Sequence, residues 1–172
     1  VDVGDVVSLA DKYCREGADE LVFYDIMASA EQRPIDLEMV ASAARKVFIP
    51  FCVGGGIRSS KDMREALLAG ADKVSLNSLA VQQPSILTES ANAFGRQCVV
   101  LGLDAKRVAP SSEFPSGYQV FINGYRTPTS WDVVEWAKHA VELGAGEICL
   151  NAIDTDGVRN GYELEITRKV AD

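Results

Sequence analysis

Two periods of apolar and polar positions take turns along this chain. Helix-like stretches are GDVVSLADKYCREG (4–17), DLEMVASAARKV (36–47), SKDMREALLAG (60–70), PSILTESANAFG (84–95), TSWDVVEWAKHAVELG (129–144) and ELEITRKVAD (163–172). In the second, apolar residues at 37, 40, 41 and 44 mark one helical face. Between them lie short runs that read as strands: ELVFYDI (20–26), IPFCVGG (49–55), KVSLN (73–77), CVVLGLDA (98–105) and EICLNAI (147–153). Ser59 or Ser60 is placed to cap the third helix and Gly70 to end it, and Pro84 suits a first turn. One insertion, SSEFPSGYQVFINGYRTPT (111–129), breaks the rhythm. Its Asn-Gly between two short β-like arms predicts a small hairpin near 118–127, after the fourth strand.

Five strands, each followed by a helix, with one further helix in front, predict parallel strands joined by right-handed crossovers, an α/β fold. A phrase recurs at three strand entries: GADELVFYD (17–25), GADKVSLNS (70–78) and GAGEICLNA (144–152). Glycine ends the preceding helix and alanine fits the turn. Alternation then places Glu20, Val22 and Tyr24 on one face, as it does Lys73, Ser75 and Asn77, and Glu147, Cys149 and Asn151. Leu21/Phe23, Val74/Leu76 and Ile148/Leu150 lie opposite, suited to contact with helices. A doubly wound sheet buries both faces. One apolar and one partly polar face predict instead a partial (βα)8 barrel of the TIM type, with helices outside and charges ringing the entry ends of the strands.

Composition changes this picture little. The 172 residues suffice for one domain, and 47% apolar with 24% charged residues is globular rather than disordered. The apolar runs are far short of a membrane span, so a soluble protein is expected. A net charge of −8 argues against nonspecific nucleic-acid binding, yet leaves a phosphorylated small molecule open, because backbone N–H groups can hold phosphate. Cys14, Cys52, Cys98 and Cys149 are scattered, without metal or disulfide spacing; three lie inside apolar strand-like runs, as small buried hydrophobes, and a reducing, cytoplasmic setting is expected. The N-terminus has neither the basic region nor the apolar core of a secretory signal. It also lacks a starting Met, so a trimmed or incomplete coding sequence is expected.

In such a barrel the chemistry sits at the C-terminal ends of the strands. Those ends carry Asp25, the run Gly54–Ser59 with its glycine triplet, Asn77 with Ser78, Asp104, and Asp154-Thr-Asp156-Gly157. Glycines allow close backbone approach, and with Asn77 and Ser78 they make a candidate phosphate cradle, or a plain turn. Asp104 is a candidate general acid or base, or a capping residue. Asp156 and Gly157 equally suit a turn. His139, inside a helical run, reads as structural. No metal-ligand spacing, Ser/His/Asp triad or cofactor motif is found.

DELVFYDI, IPFCVGGGIRS, GADKVSLNS, VVLGLDAKRV and GAGEICLNAIDTDGVRNGYELE together resemble the cyclase subunit of imidazole glycerol phosphate synthase, of histidine biosynthesis. The resemblance runs through the whole chain. DAKRV, the hairpin insertion and DTDGVRNGY favour the cyclase over the sister isomerase, which shares the glycine-rich phosphate turn. The family's (βα)8 barrel takes ammonia from a glutaminase partner. It converts a phosphoribulosyl formimino-carboxamide nucleotide into imidazole glycerol phosphate and an aminoimidazole carboxamide ribotide. By resemblance, Asp104 is the general acid; Gly56, Asn77 and Ser78 hold one phosphate; Asp156 and Gly157 serve the other end of the substrate. Asp25 lies near the active site, and Glu20, Lys73 and Glu147 gate ammonia. The resemblance further implies a single partial-barrel domain, 1–172, holding strands two to six of the family barrel. The first strand, with the general-base Asp, and the last two strands are then absent. The expectation is a chain impaired or inactive alone, associating with its own copies through open strand edges or persisting as a phosphate-binding module.

Overall fold

Six side chains start six helices. Asp5, Asp25, Asp36, Ser59, Asp132 and Glu163 each accept a hydrogen bond from a backbone N–H in the first turn that follows. Each cap is worth about 1 kcal/mol because it satisfies a donor that the helix leaves open. The helices are α1 (Val6–Arg15), α2 (Ile26–Ala30), α3 (Leu37–Ala44), α4 (Ser60–Leu68), α5 (Ser78–Gln82), α6 (Ser85–Phe94), α7 (Val133–Leu143) and α8 (Leu164–Ala171). The strands are β1 (Leu21–Tyr24), β2 (Phe51–Gly54), β3 (Lys73–Leu76), β4 (Val99–Arg107), β5 (Tyr118–Ile122), β6 (Thr127–Asp132) and β7 (Glu147–Ala152). A computed structural model describes residues 4–31 and 33–172, which form two compact units divided between Ser75 and Leu76.

In the first unit, β1 runs parallel to β2, with Leu21 beside Phe51 and Tyr24 beside Gly54. β2 in turn runs parallel to β3, with Gly54 beside Ser75. Val53 and Val74 are fully buried, as are Val40 and Ala43 of α3 and Met63 and Ala66 of α4. Asp72, in the second copy of the Gly-Ala phrase, accepts the Phe51 N–H at 2.9 Å and ties the entry of β3 to that of β2. Gly70 has φ 113°, and a Cβ there would lie 2.6 Å from Ala44 Cβ, so the turn needs glycine both for its backbone and for room.

In the second unit, β4 pairs in parallel with β7, placing Asp104 beside Asn151. Its far end pairs antiparallel with β5, placing Asp104 beside Phe121 as well. β5 and β6 form the expected antiparallel hairpin around Asn123 and Gly124. Trp136, Leu87, Leu101, Leu103, Val99 and Ile166 are buried completely or nearly so. Burial of each such side chain contributes about 1.5–3 kcal/mol.

The parallel pairing of β1 with β2, β2 with β3 and β4 with β7, with helices alternating along the chain, agrees with the α/β barrel-type fold read from the pattern. Three details differ. The helix expected from Thr129 begins at Val133, because residues 129–132 continue β6 and Asp132 caps the helix. β4 runs on through Lys106 and Arg107, held by pairing with Gln119 and Tyr118. Two five-residue helices, α2 and α5, occupy stretches that carry no helical period. Among the described residues, no helix is long and apolar enough to cross a membrane.

Candidate functional site

Asp104 is the centre of the second unit's polar cluster. Strand alternation turns Leu103 and Ala105 one way and Asp104 the other, and the parallel register sets Asn151 next to it. Asn77, just past β3, donates its Nδ2 to Asp104 Oδ2 at 2.7 Å. Asn151 donates its own Nδ2 to Asp104 Oδ1 at 3.2 Å. Each carboxyl oxygen thus has an amide donor, while only 9% of the residue is exposed. Burial raises the pKa above the ordinary carboxylate value. The Asn151 and Asn77 hydrogen bonds pull it back down, and the charge of Asp156 pushes it up again. The balance favours a carboxyl that holds its proton to higher pH. Asn77 Oδ1 is buried and has no hydrogen-bond partner, an acceptor left open beside a potential proton donor.

The hairpin closes on this cluster. Tyr125 Oη accepts a hydrogen bond from Asn151 Nδ2 and donates to Asp156 Oδ2 at 3.3 Å. Ser78 Oγ accepts the Asn123 N–H at 2.9 Å, which fastens the start of α5 to the same turn. Gly157 lies in the turn after β7 with φ 71° and open space where a side chain would stand. Arg107 donates to Glu163 at 3.1 Å and to Glu165 at 3.0 Å, and its N–H reaches Asp154 Oδ2 at 2.7 Å. The loop after β7 is therefore held at both ends to β4.

The first unit holds the remaining predicted residues. Asp25 caps α2 through the Ala28 N–H and receives a two-pronged contact from Arg33, at 2.6 and 2.9 Å. Burial is the largest single influence on Asp25 and raises its pKa. The Arg33 hydrogen bonds, the Ala28 N–H, the Arg33 charge and the Asp36 N–H together outweigh it and hold the carboxyl below its ordinary value. Asp25 is thus an ionised, paired group, unlike Asp104. Gly56, with φ 72°, packs so tightly that a Cβ would lie 2.6 Å from Ala28 Cβ and 2.8 Å from the Ile35 nitrogen. The glycine is required by its own surroundings whether or not a ligand is present.

Glu20 and Lys73, predicted to share the polar face, form an ion pair through both carboxylate oxygens at 2.8 and 2.9 Å. Tyr24 and Ser75 meet on the same face at 3.1 Å, the tyrosine ring passing over Gly54. Glu147 opens β7 in the second unit and is exposed. His139 stacks on Trp131 with ring centroids 5.5 Å apart and lies 5.9 Å from Trp136, in keeping with a structural role. Among the described residues no disulfide joins Cys14, Cys52, Cys98 or Cys149; Cys52 is buried as expected, whereas Cys98 and Cys149 are only part-buried in their strand-like runs. Among the described residues, no group of three or more His, Cys, Asp or Glu is arranged to hold a metal.

The structure joins Asp104 to Asn77 directly, and to Asp156 through two residues that the sequence did not single out as functional, Asn151 and Tyr125. Asn151 was legible only as the third member of a polar strand face. Nothing in the linear sequence tells that the hairpin tip returns to it. Arg33, the partner of Asp25, carried no signal at all.

The whole chain, residues 1–172, matches the family described as histidine biosynthesis protein. It is 58% identical over 171 residues to the imidazole glycerol phosphate synthase subunit HisF of Syntrophobacter fumaroxidans, covering 99% of this chain and 66% of that protein. It is 55% identical over 172 residues to subunits of the same name from Desulfosudis oleivorans and Desulfatibacillum aliphaticivorans, covering 100% of this chain and 66% of each. The chain therefore spans just under two thirds of the length of these relatives.

Proposed function

This chain belongs to the histidine biosynthesis protein family, and on that premise we propose that Asp104 is the general acid of a cyclase reaction. In this reading ammonia from a glutaminase subunit is built into a phosphoribulosyl formimino-carboxamide nucleotide. The products are imidazole glycerol phosphate and an aminoimidazole carboxamide ribotide, and the setting is the cytoplasm. Closing the imidazole ring expels a nitrogen that must gain a proton as it leaves. A carboxyl that retains its proton above the ordinary range, with both oxygens fixed by amides, suits that task. The buried, raised-pKa Asp104 between Asn77 and Asn151 is the observation that carries the reading.

Gly56 in the first unit, and Asn77 with Ser78 in the second, are each assigned to substrate phosphate. Asp156 and Gly157 are assigned to the opposite end of the substrate, and Asp25 to the neighbourhood of the reaction. The unpartnered Asn77 Oδ1 is an acceptor available to a substrate N–H or O–H. Glu20, Lys73 and Glu147 are assigned to ammonia passage; the part-buried Glu20–Lys73 pair supports a charged, closable contact. One partial-barrel domain over 1–172 belongs to the same proposal.

The test is turnover of the nucleotide with an ammonium salt as nitrogen source. Impaired turnover is expected in this chain, and a further loss of about 10²–10⁴-fold in Asp104→Asn, the usual worth of a positioned proton donor. Activity unchanged in Asp104→Asn overturns the assignment. An ammonia-independent isomerase activity favours the sister isomerase instead. A second reading, association between copies, is favoured by β7, which pairs with β4 alone among the described residues, and by the exposed Val22 and Tyr24 of β1. Light scattering that gives the mass of a dimer supports it, and the mass of a monomer at micromolar concentration refutes it.

A further inference from the structure

Tyr125 stands in a place that does not suit a tyrosine. It follows Asn123 and Gly124 in the β5–β6 turn, and all three have positive φ, 56°, 61° and 68°. Asparagine and glycine adopt that region readily, whereas a bulky side chain rarely does. Nothing in the pairing of β5 with β6 demands a tyrosine there, since glycine would take the same backbone without strain. An unfavourable conformation kept at such a position points to work done by the side chain.

The side chain has two partners, and their chemistry fixes the direction of each contact. A carboxylate oxygen accepts, so the Tyr125 hydroxyl donates to Asp156 Oδ2. The lone pairs of the Tyr125 oxygen are then left to accept from Asn151 Nδ2. That settles which end of the Asn151 amide faces inward, a choice that the amide's own two-fold torsion leaves open. One hydrogen of the NH2 goes to Tyr125 and the other to Asp104 Oδ1.

We propose that Tyr125 is a positioning residue for Asp104, acting through Asn151. Its hydroxyl locks the Asn151 amide with the NH2 group inward, so that Asp104 keeps a fixed donor. The relay runs from Asp104 through Asn151 and Tyr125 to Asp156, all within the second unit. The tyrosine itself is held protonated: burial raises its pKa first, against the Asn151 contact, and the charges of Asp104 and Asp156 raise it further. Asn77, Asn151 and Asp156 act on the Asp104 carboxyl, and Tyr125, which feels the Asp104 charge, is a further titratable group of the same cluster. The proposal rests on the reading of Asp104 as the acid, but its first readout does not need turnover.

The experiment compares the parent chain with Tyr125→Phe, Asn151→Ala and the double variant. The Asp104 carboxyl is followed by carbon-detected NMR through a pH titration, and the pH profile of ammonium-dependent turnover is recorded alongside. Phenylalanine keeps the ring in place, so folding is preserved and only the hydroxyl is lost. Tyr125→Phe is expected to move the Asp104 midpoint to higher pH, because the donor that favours the ionised form is no longer held. The alkaline limb of the turnover profile should move with it. In the Asn151→Ala background the same change should move neither. An unchanged midpoint in Tyr125→Phe, or an equal shift with Asn151 already removed, overturns the proposal. A shifted Asp104 midpoint with no turnover in any variant supports the positioning role and fits a chain that is inactive alone.

Discussion

Replacing Asp104 by Asn should change how stability depends on pH, and the sign follows from the surroundings of the side chain. In the folded chain burial is the main reason that the carboxyl titrates above its ordinary value, with the Asn151 and Asn77 bonds opposing and the Asp156 charge reinforcing. In the unfolded chain it titrates near the ordinary value. Below that value both states hold the proton, and the favourable contribution is fully present. Between the two values the folded protein still holds a proton that the unfolded chain has released. Stability is lost across that window at about 1.4 kcal/mol per pH unit, until the folded carboxyl has also ionised. Asparagine does not titrate and is nearly the same shape. It can be accommodated, because Asn77 Oδ1 has no partner and can turn to accept the new N–H. At acid pH the two proteins should agree to within about 1 kcal/mol, the worth of one rearranged hydrogen bond. Urea denaturation of both, from acid to slightly alkaline pH, measures the difference. The parent should lose ground to Asp104→Asn as pH rises. A difference that stays flat, or that grows in the parent's favour, refutes the reasoning about this site.

Other outcomes follow from particular contacts. Asp132 receives N–H groups from Val134 at 2.9 Å, Glu135 at 3.3 Å and Ser116 at 2.8 Å, and it is buried. Asp132→Ala should cost about 3 kcal/mol in a urea titration, a lost cap plus an orphaned buried donor. Asp36→Ala, which removes one exposed cap bond, should cost only about 1 kcal/mol. Gly56→Ala should lower the melting temperature through left-handed strain and collision with Ala28 and the backbone of Ile35, even with no ligand added; an unchanged melting curve contradicts the close packing. A double-mutant cycle on Glu20 and Lys73 should return a coupling of about 1 kcal/mol or less that weakens with salt, because the pair is only part-buried.

The elements that the sequence revealed are those set by local chemistry. Periodic apolar residues placed α1, α3, α4, α6, α7 and α8, and of Ser59 and Ser60, both suited to cap α4, it is Ser59 that does so. The polar face of Glu20, Tyr24, Lys73 and Ser75 was legible because strand alternation admits one phase, and those residues do meet. What escaped notice depends on distant pairing. Residues 129–132 read as helix until the β5–β6 ladder claims them, although Asp132 followed three residues later by Glu135 was a capping signal in plain view. The short helices α2 and α5 have one turn each, too little for a period to show. Asn151 and Tyr125 join Asp104 only through the β4–β7 register and the return of the hairpin, neither of which a linear pattern encodes. The glycine triplet announced a close approach, but not that its neighbours would be Ala28 and Ile35 of the same unit.

The most direct test of Asp104 as the proton donor compares two titrations. The Asp104 carboxyl is followed by carbon-detected NMR, and ammonium-dependent turnover is measured over the same pH range. Turnover should fall on the alkaline side with a midpoint that coincides with ionisation of Asp104, and that limb should vanish along with most of the activity in Asp104→Asn. Turnover that persists after the carboxyl has ionised, or an alkaline limb retained in Asp104→Asn, would contradict the account.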